Sequence, residues 1–177
     1  MELHKQGRYS RTAVALHWLV ATCIVATIPL GWYVASLRLS PLKLQLVSYH
    51  KWIGVTIFML AIARLAWRSV SAAPPPLPAP AWQMRAASVV HWSLYGLMFA
   101  LPLSGWIFSS ATGVPTVYLG LWQLPDLVAR DRALASTLRW AHQALGWLLL
   151  SLVLVHVAAV LKHQFVDRDG LLRRMGF

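Results

Sequence analysis

The sequence predicts an all-α membrane protein, a four-helix transmembrane bundle, and three observations predict it. Four apolar stretches are each long enough to cross the roughly 30 Å of bilayer hydrocarbon, which takes about 20 helical residues. The chain is 58% hydrophobic but only 12% charged, whereas soluble domains carry about 25% charged residues. Mean hydropathy is +0.58, and the cations gather at the ends of the apolar stretches.

The first stretch, Thr12–Ala35, follows a basic start and so has the outline of a secretory signal. Its length favours a true span, and it holds a histidine, His17. The second runs over about 42–67 and is interrupted by His50-Lys51. A proline-rich segment, Ala73 to Pro80, follows; it cannot continue a helix and reads as a stiff, extended spacer. The third span covers about 85–110. The connection after it, Ala111 to Ala135, mixes Leu121, Trp122, Leu124, Leu127 and Val128 with Asp126, Arg130, Asp131 and Arg132. It reads as a short amphipathic segment lying on the membrane surface. The fourth span covers about 136–161, and the whole chain, 1–177, reads as one integral membrane domain.

The net charge is +11, which in a soluble chain would point to nucleic acid. Placed at span ends, these cations instead set topology and meet lipid headgroups. Ten of them (Lys5, Arg8, Arg11, Arg64, Arg68, Arg85, Lys162, Arg168, Arg173 and Arg174) fall on the side of the termini. Six (Arg38, Lys43, Lys51, Arg130, Arg132 and Arg139) fall on the other. By the positive-inside rule both termini face the cytoplasm. The ten tryptophans suit interfacial belts, and the single cysteine, Cys23, packs within a span.

The first and third spans resemble each other. Leu16-His17-Trp18 matches Val90-His91-Trp92, Gly31-Trp32 matches Gly105-Trp106 at the same offset, and Pro29 and Pro102 fall within one position. The second and fourth share His-x-x-x-Gly, as His50…Gly54 and His142…Gly146. Such an internal repeat points to two helical hairpins related by an axis along the membrane normal. Gly54 and Gly146 lie one turn beyond a histidine, where a missing side chain lets a flat macrocycle approach the backbone.

Polar residues inside spans mark function, and five histidines lie there at two depths. His50 and His142 sit near the outer starts of their helices, while His17, His91 and His156 lie near the inner side. His142 and His156 are fourteen residues apart on one span. They therefore leave nearly the same helix face about 21 Å apart, which suits two stacked metal centres. His4 belongs to the N-terminal tail, and His163 stands at the inner boundary beside Lys162. Structural zinc takes four Cys or His ligands, which these groups do not supply at one depth. Di-iron bundles need carboxylates, yet all five Asp and Glu lie outside the spans. Facing imidazole pairs suit bis-His haem, whose closed coordination favours electron transfer. No Cys-x-x-Cys-His occurs, so the haem is b type.

The four spans, the Ser10-Arg11…His17-Trp18 entry, His50 on the second span and His142 with His156 on the fourth resemble the bacterial cytochrome b561 family. This family is related to the b-type subunits of Ni-hydrogenases and formate dehydrogenases. The resemblance covers essentially the whole chain and implies a four-helix bundle with two b haems in the inner membrane. It implies that His50 and His142 bind the outer haem iron and that His17 and His156 bind the inner one. Strict repeat symmetry would instead pair His17 with His91; the resemblance favours His156. His91 and His163 then become spare polar groups near the inner haem, candidates for quinone contact or proton exchange. Arg64 lies fourteen residues after His50, as His156 does after His142, and so reaches the inner level, where it can pair a haem propionate. Lys51 and Arg139 flank the outer ligands and are candidates for the other propionates.

The leading functional reading is a cytochrome that transfers electrons across the inner membrane and exchanges them with the quinone pool, ubiquinone being the expected substrate. A second is an anchor and electron-transfer subunit of a larger redox enzyme. A third is a superoxide:quinone oxidoreductase, because a basic outer mouth attracts small anionic reductants. A purely structural bundle is the last. The expected partners are membrane lipid, quinone and a small anionic reductant or redox protein, with no nucleic acid.

Overall fold

A computed structural model of the chain describes residues 7–176; His4 and Lys5 lie outside the described residues. Four long helices form: α1 (Arg11–Ser36), α2 (Pro41–Val70), α3 (Ala81–Thr112) and α4 (Arg132–Lys162). All four are long and apolar enough to cross a membrane. Each extends a few residues beyond its apolar stretch, and the reason is local. The Ser10 hydroxyl accepts from the Ala13 amide and the Ser40 hydroxyl from the Lys43 amide, so orphan amides at both starts are satisfied. Asp131 takes the amides of Ala133 and Leu134 at 2.8 and 3.1 Å and starts α4. α3 stops at Gly113, whose φ of 75° lies in the left-handed region that glycine reaches without cost. His50 and Lys51 do not break α2, because a long helix tolerates polar side chains that find space inside the bundle.

α1 packs on α2, α3 packs on α4, and α2 also meets α3. We call the end holding the 37–40 turn the hairpin end, and the end near residues 7–10 and 171–176 the terminal end. Between them lies an apolar layer of Val20, Ile24, Ile57, Ala61, Tyr95, Leu97, Met98 and Leu149. Many large apolar side chains, among them Val25, Val89, Leu154 and Val155, face outward. In a bilayer that outward face is solvated by lipid.

The 113–131 connection corrects the expectation of a flat amphipathic segment. It is a small β-hairpin, β1 (Val117–Tyr118) paired antiparallel with β2 (Trp122–Gln123) through a turn at Leu119 and Gly120, both with positive φ. Donors on the helices take its backbone acceptors and so hold it down. The Trp52 indole donates to the Val117 carbonyl at 2.6 Å and the Trp106 indole to the Pro125 carbonyl at 2.9 Å. Thr56 and Tyr118 share a hydrogen bond of 3.0 Å. Arg132 to Ala135 belong instead to the first turn of α4.

Residues 72–80 carry no regular hydrogen-bonded structure, as the prolines require. After α4 the chain makes a π turn (His163–Asp167) and a 3-10 turn (Leu171–Met175). This tail folds back on the start of α1: the Tyr9 amide donates to the Arg174 carbonyl at 3.2 Å and the Trp18 indole to the Met175 carbonyl at 3.1 Å. The Arg174 guanidinium reaches the Pro75 carbonyl at 2.6 Å, which ties the proline segment to the same end.

Candidate cofactor site

Five histidines are gathered at two levels of the bundle. At the hairpin end the rings of His50 on α2 and His142 on α4 stand with centroids 6.1 Å apart. At the terminal end His17 on α1 and His156 on α4 stand 6.2 Å apart. One metal ion bound between opposed imidazoles, with metal–nitrogen bonds of about 2.0 Å, sets ring centroids roughly 6 Å apart. Both pairs match that separation. His91 on α3 is closer to His156, at 5.3 Å with the planes 70° apart.

The two levels differ in what surrounds the rings. At the hairpin end, Nδ1 of His50 lies 3.1 Å from the Thr27 hydroxyl, and Nδ1 of His142 lies 2.9 Å from the Ser104 hydroxyl. Each ring also points its Cε1 edge at a glycine of the preceding helix. A Cβ on Gly31 would stand 2.8 Å from Cε1 of His50, and one on Gly105 would stand 3.0 Å from Cε1 of His142. Real Cβ atoms essentially never come as close as the first, and the second is tighter than most real contacts, so both glycines help make the ring positions possible. Gly54 and Gly146 have open space where a side chain would be. A cleft between His50 and His142 is lined by Gly54, Ile24, Ile57, Leu101 and Leu149. Room for a flat apolar group beside paired imidazoles is what a macrocycle requires.

At the terminal end, Nδ1 of His17 is buried and has no hydrogen-bond partner among the described residues. A buried polar atom left unsatisfied costs about 1–3 kcal/mol, a cost relieved when another group occupies the site. Arg64 stands half-buried at this level. Its guanidinium lies 5.3 Å above the Tyr95 ring.

The remaining candidates are more scattered. The Lys51 ammonium donates to the carbonyls of Val114 and Pro115, so it helps hold the hairpin loop beside His50. Arg139 is exposed on α4 one turn before His142. His163 belongs to a separate cluster in the π turn, with Nδ1 2.5 Å from Asp169 and 3.4 Å from Asp167, beside the Lys162–Asp167 pair. Slight burial pushes the Asp169 carboxyl up, but hydrogen bonds from His163 and the Leu171 amide outweigh it and leave the group below the usual carboxylate range.

Sequence reasoning gave no role to Thr27, Ser104, Gly31 or Gly105. The glycines carried a signal, the Gly-Trp pair repeated at one offset, but contact with a histidine ring needs the packing of α1 on α2 and of α3 on α4. No sequence pattern marks the two hydroxyls.

Four spanning helices that present opposed histidines across their interior define a membrane cytochrome of b type. The model of the family described as prokaryotic cytochrome b561 matches residues 8–177. Among curated proteins the chain is 34% identical over 170 residues to cytochrome b561 homolog 2 of Escherichia coli K12, covering 95% of this chain and 90% of that protein. It is 28% identical to cytochrome b561 homolog 1 of the same organism, over 96% of this chain and 97% of that one. It is 29% identical to a probable superoxide oxidase CybB of Yersinia pestis, over 98% and 97%. The chain belongs to the prokaryotic cytochrome b561 family. It is accordingly a multi-pass protein of the bacterial inner membrane that binds b-type haem and transfers electrons within the membrane.

Proposed function

We propose that the protein is a two-haem cytochrome that passes electrons across the inner membrane and exchanges them with quinone. The observation that carries this reading is the pair of stacked imidazole gaps, 6.1 and 6.2 Å wide, each with one wall on α4. His50 and His142 would hold the hairpin-end haem, and His17 and His156 the terminal-end one. Bound haems would supply reversible one-electron iron chemistry, and ligation by two imidazoles would leave no position open for oxygen chemistry. The 6.2 Å separation of His17 and His156 supports pairing those two, and the shorter 5.3 Å contact of His91 with His156 speaks against a His91–His156 pair. The apolar layer between the levels keeps water out of the bundle centre.

Arg64 is the residue best placed to pair a propionate at the terminal end, and Lys51 and Arg139 are the candidates at the hairpin end. His91, exposed beside His156, is the leading candidate for quinone contact or proton exchange; His163, held by two carboxylates, is a weaker one. The surplus of Lys and Arg on the terminal side supports placing both termini in the cytoplasm.

Haem quantification and reduced-minus-oxidised spectra of alanine variants at His17, His50, His91, His142 and His156 test this directly. Two haems per wild-type chain, and one in each ligand variant, are expected. Loss of a haem in His91→Ala but not in His156→Ala would overturn the terminal-end pairing.

A second reading is oxidation of superoxide at the hairpin end, with quinone as acceptor. It is favoured by the similarity to the Yersinia pestis protein and by Lys51 and Arg139 near His50 and His142. Rapid mixing of superoxide with the oxidised protein decides it: an absence of haem reduction would sink the idea.

A further inference from the structure

The hydrogen bonds at the hairpin end fix more than ring position. The Ser104 hydroxyl donates its one proton to the Leu101 carbonyl at 2.8 Å. Towards His142 it can therefore only accept, and Nδ1 of His142 must carry the proton. At His50 the Thr27 hydroxyl stands at the matching place, 3.1 Å from Nδ1. Leu101 and Thr27 each lie four residues before the glycine that touches the same ring, Gly105 and Gly31. The absent side chain one helical turn on lets each imidazole reach that stretch of helix. With Nδ1 protonated, Nε2 of His142 keeps the free lone pair that a metal requires, and the same tautomer at His50 would leave its Nε2 free in the same way.

We propose that Thr27 and Ser104 are positioning residues that hold the Nδ1–H tautomer of His50 and His142 and lower the reduction potential of the hairpin-end centre below that of the terminal-end centre. This rests on the two-haem reading above. A hydrogen bond donated by a ligand histidine raises its basicity, and a more basic ligand stabilises the more positively charged, oxidised iron. At the terminal end Nδ1 of His17 has no hydrogen-bond partner among the described residues. That end carries the opposite device: the half-buried Arg64 guanidinium, over the Tyr95 ring one turn from His91, would favour the reduced form. At the hairpin end the nearby Lys51 ammonium is tied to loop carbonyls. The two devices act in the same sense, so a terminal-end centre held beside Arg64 would hold a single electron in preference to a hairpin-end centre held by His50 and His142.

The experiment is a spectroelectrochemical titration of the purified, haem-loaded protein. The two steps are assigned to their centres with His50→Ala and His17→Ala, which each retain one haem. The variants are Thr27→Val and Ser104→Ala, with Thr27→Ser and Ser104→Thr as versions that keep the hydroxyl. The expected result is that the lower of the two potentials belongs to the hairpin-end centre. It moves upward in Thr27→Val and Ser104→Ala, stays put in the hydroxyl-retaining variants, and the other potential is unmoved throughout. Unmoved potentials in Thr27→Val and Ser104→Ala, or a shift confined to the higher step, overturn the proposal. If Thr27→Val or Ser104→Ala loses its hairpin-end haem, the hydroxyl-retaining variants decide: retention at the wild-type potential supports the role, and loss there too reduces both positions to packing. A wild-type protein with a single haem would sink the two-haem reading itself, an outcome distinct from two haems whose potentials ignore the hydroxyls.

Discussion

The two ends of the bundle solve the same problem differently. At the hairpin end each imidazole lies against a glycine and meets a hydroxyl, so its orientation is determined on two sides. At the terminal end three imidazoles and an arginine crowd together, Nδ1 of His17 has no hydrogen-bond partner among the described residues, and His91 is exposed. The hairpin end is built for fixed geometry. The terminal end has spare polar groups near the surface, the arrangement that exchange of protons or contact with a mobile partner calls for. The two ends share one helix, so the difference lies in what α1, α2 and α3 bring to each level.

The largest test of that comparison removes the ligands. His142→Ala should cost one haem and His156→Ala the other, whereas His91→Ala should keep both; pyridine haemochrome quantification reads the outcome. Two haems retained in either α4 variant would erase the distinction between levels. Next in size are the glycines. Gly31→Ala and Gly105→Ala push a Cβ into the ligand ring and should weaken haem retention by about 10–100-fold, as other changes to ligand-supporting contacts do. Gly31→Ala should be the worse of the two, since its Cβ would come nearer. The same change at Gly146, where space is open, should leave the His142 ring undisturbed, which haem titration of the apoprotein can compare.

Smaller effects probe one end at a time. Arg64→Gln should lower the terminal-end potential and leave the hairpin-end one in place, as read by redox titration; equal movement of both would mean that the guanidinium acts on the bundle as a whole. The smallest effect should follow Trp52→Phe, which deletes the indole bond to the Val117 carbonyl. A loss of about 0.5–1.5 kcal/mol is expected, measured by thermal unfolding in detergent and confined to the hairpin end, with both haem spectra unchanged.

The spans were legible because a bilayer demands long apolar helices and excludes nearly everything else. The helix starts were not read from the sequence: Ser10, Ser40 and Asp131 cap three helices, and Asp131 reads as part of the connection before α4. The loop between α3 and α4 was misread for a physical reason. Leu121, Trp122 and Leu127 beside charged residues look amphipathic, but what holds this segment is donors from Trp52, Thr56 and Trp106, none of which lies within it. The histidines stood out by chemistry alone, since imidazole is costly in lipid and needs a reason to be there.

The sequence by itself determined that this chain spans a membrane with four helices and that α4 carries histidines at two depths on one face, because hydropathy and helical periodicity are local properties. It also marked the Gly-Trp pairs without giving them a use. Only the tertiary structure decided which rings oppose each other at about 6 Å, which glycines lie against them and which hydroxyls meet their Nδ1 atoms. Those relations join residues from different helices, such as Thr27 with His50 and Ser104 with His142. Interhelical distance is set by how four surfaces pack together, and no single stretch of the chain contains it.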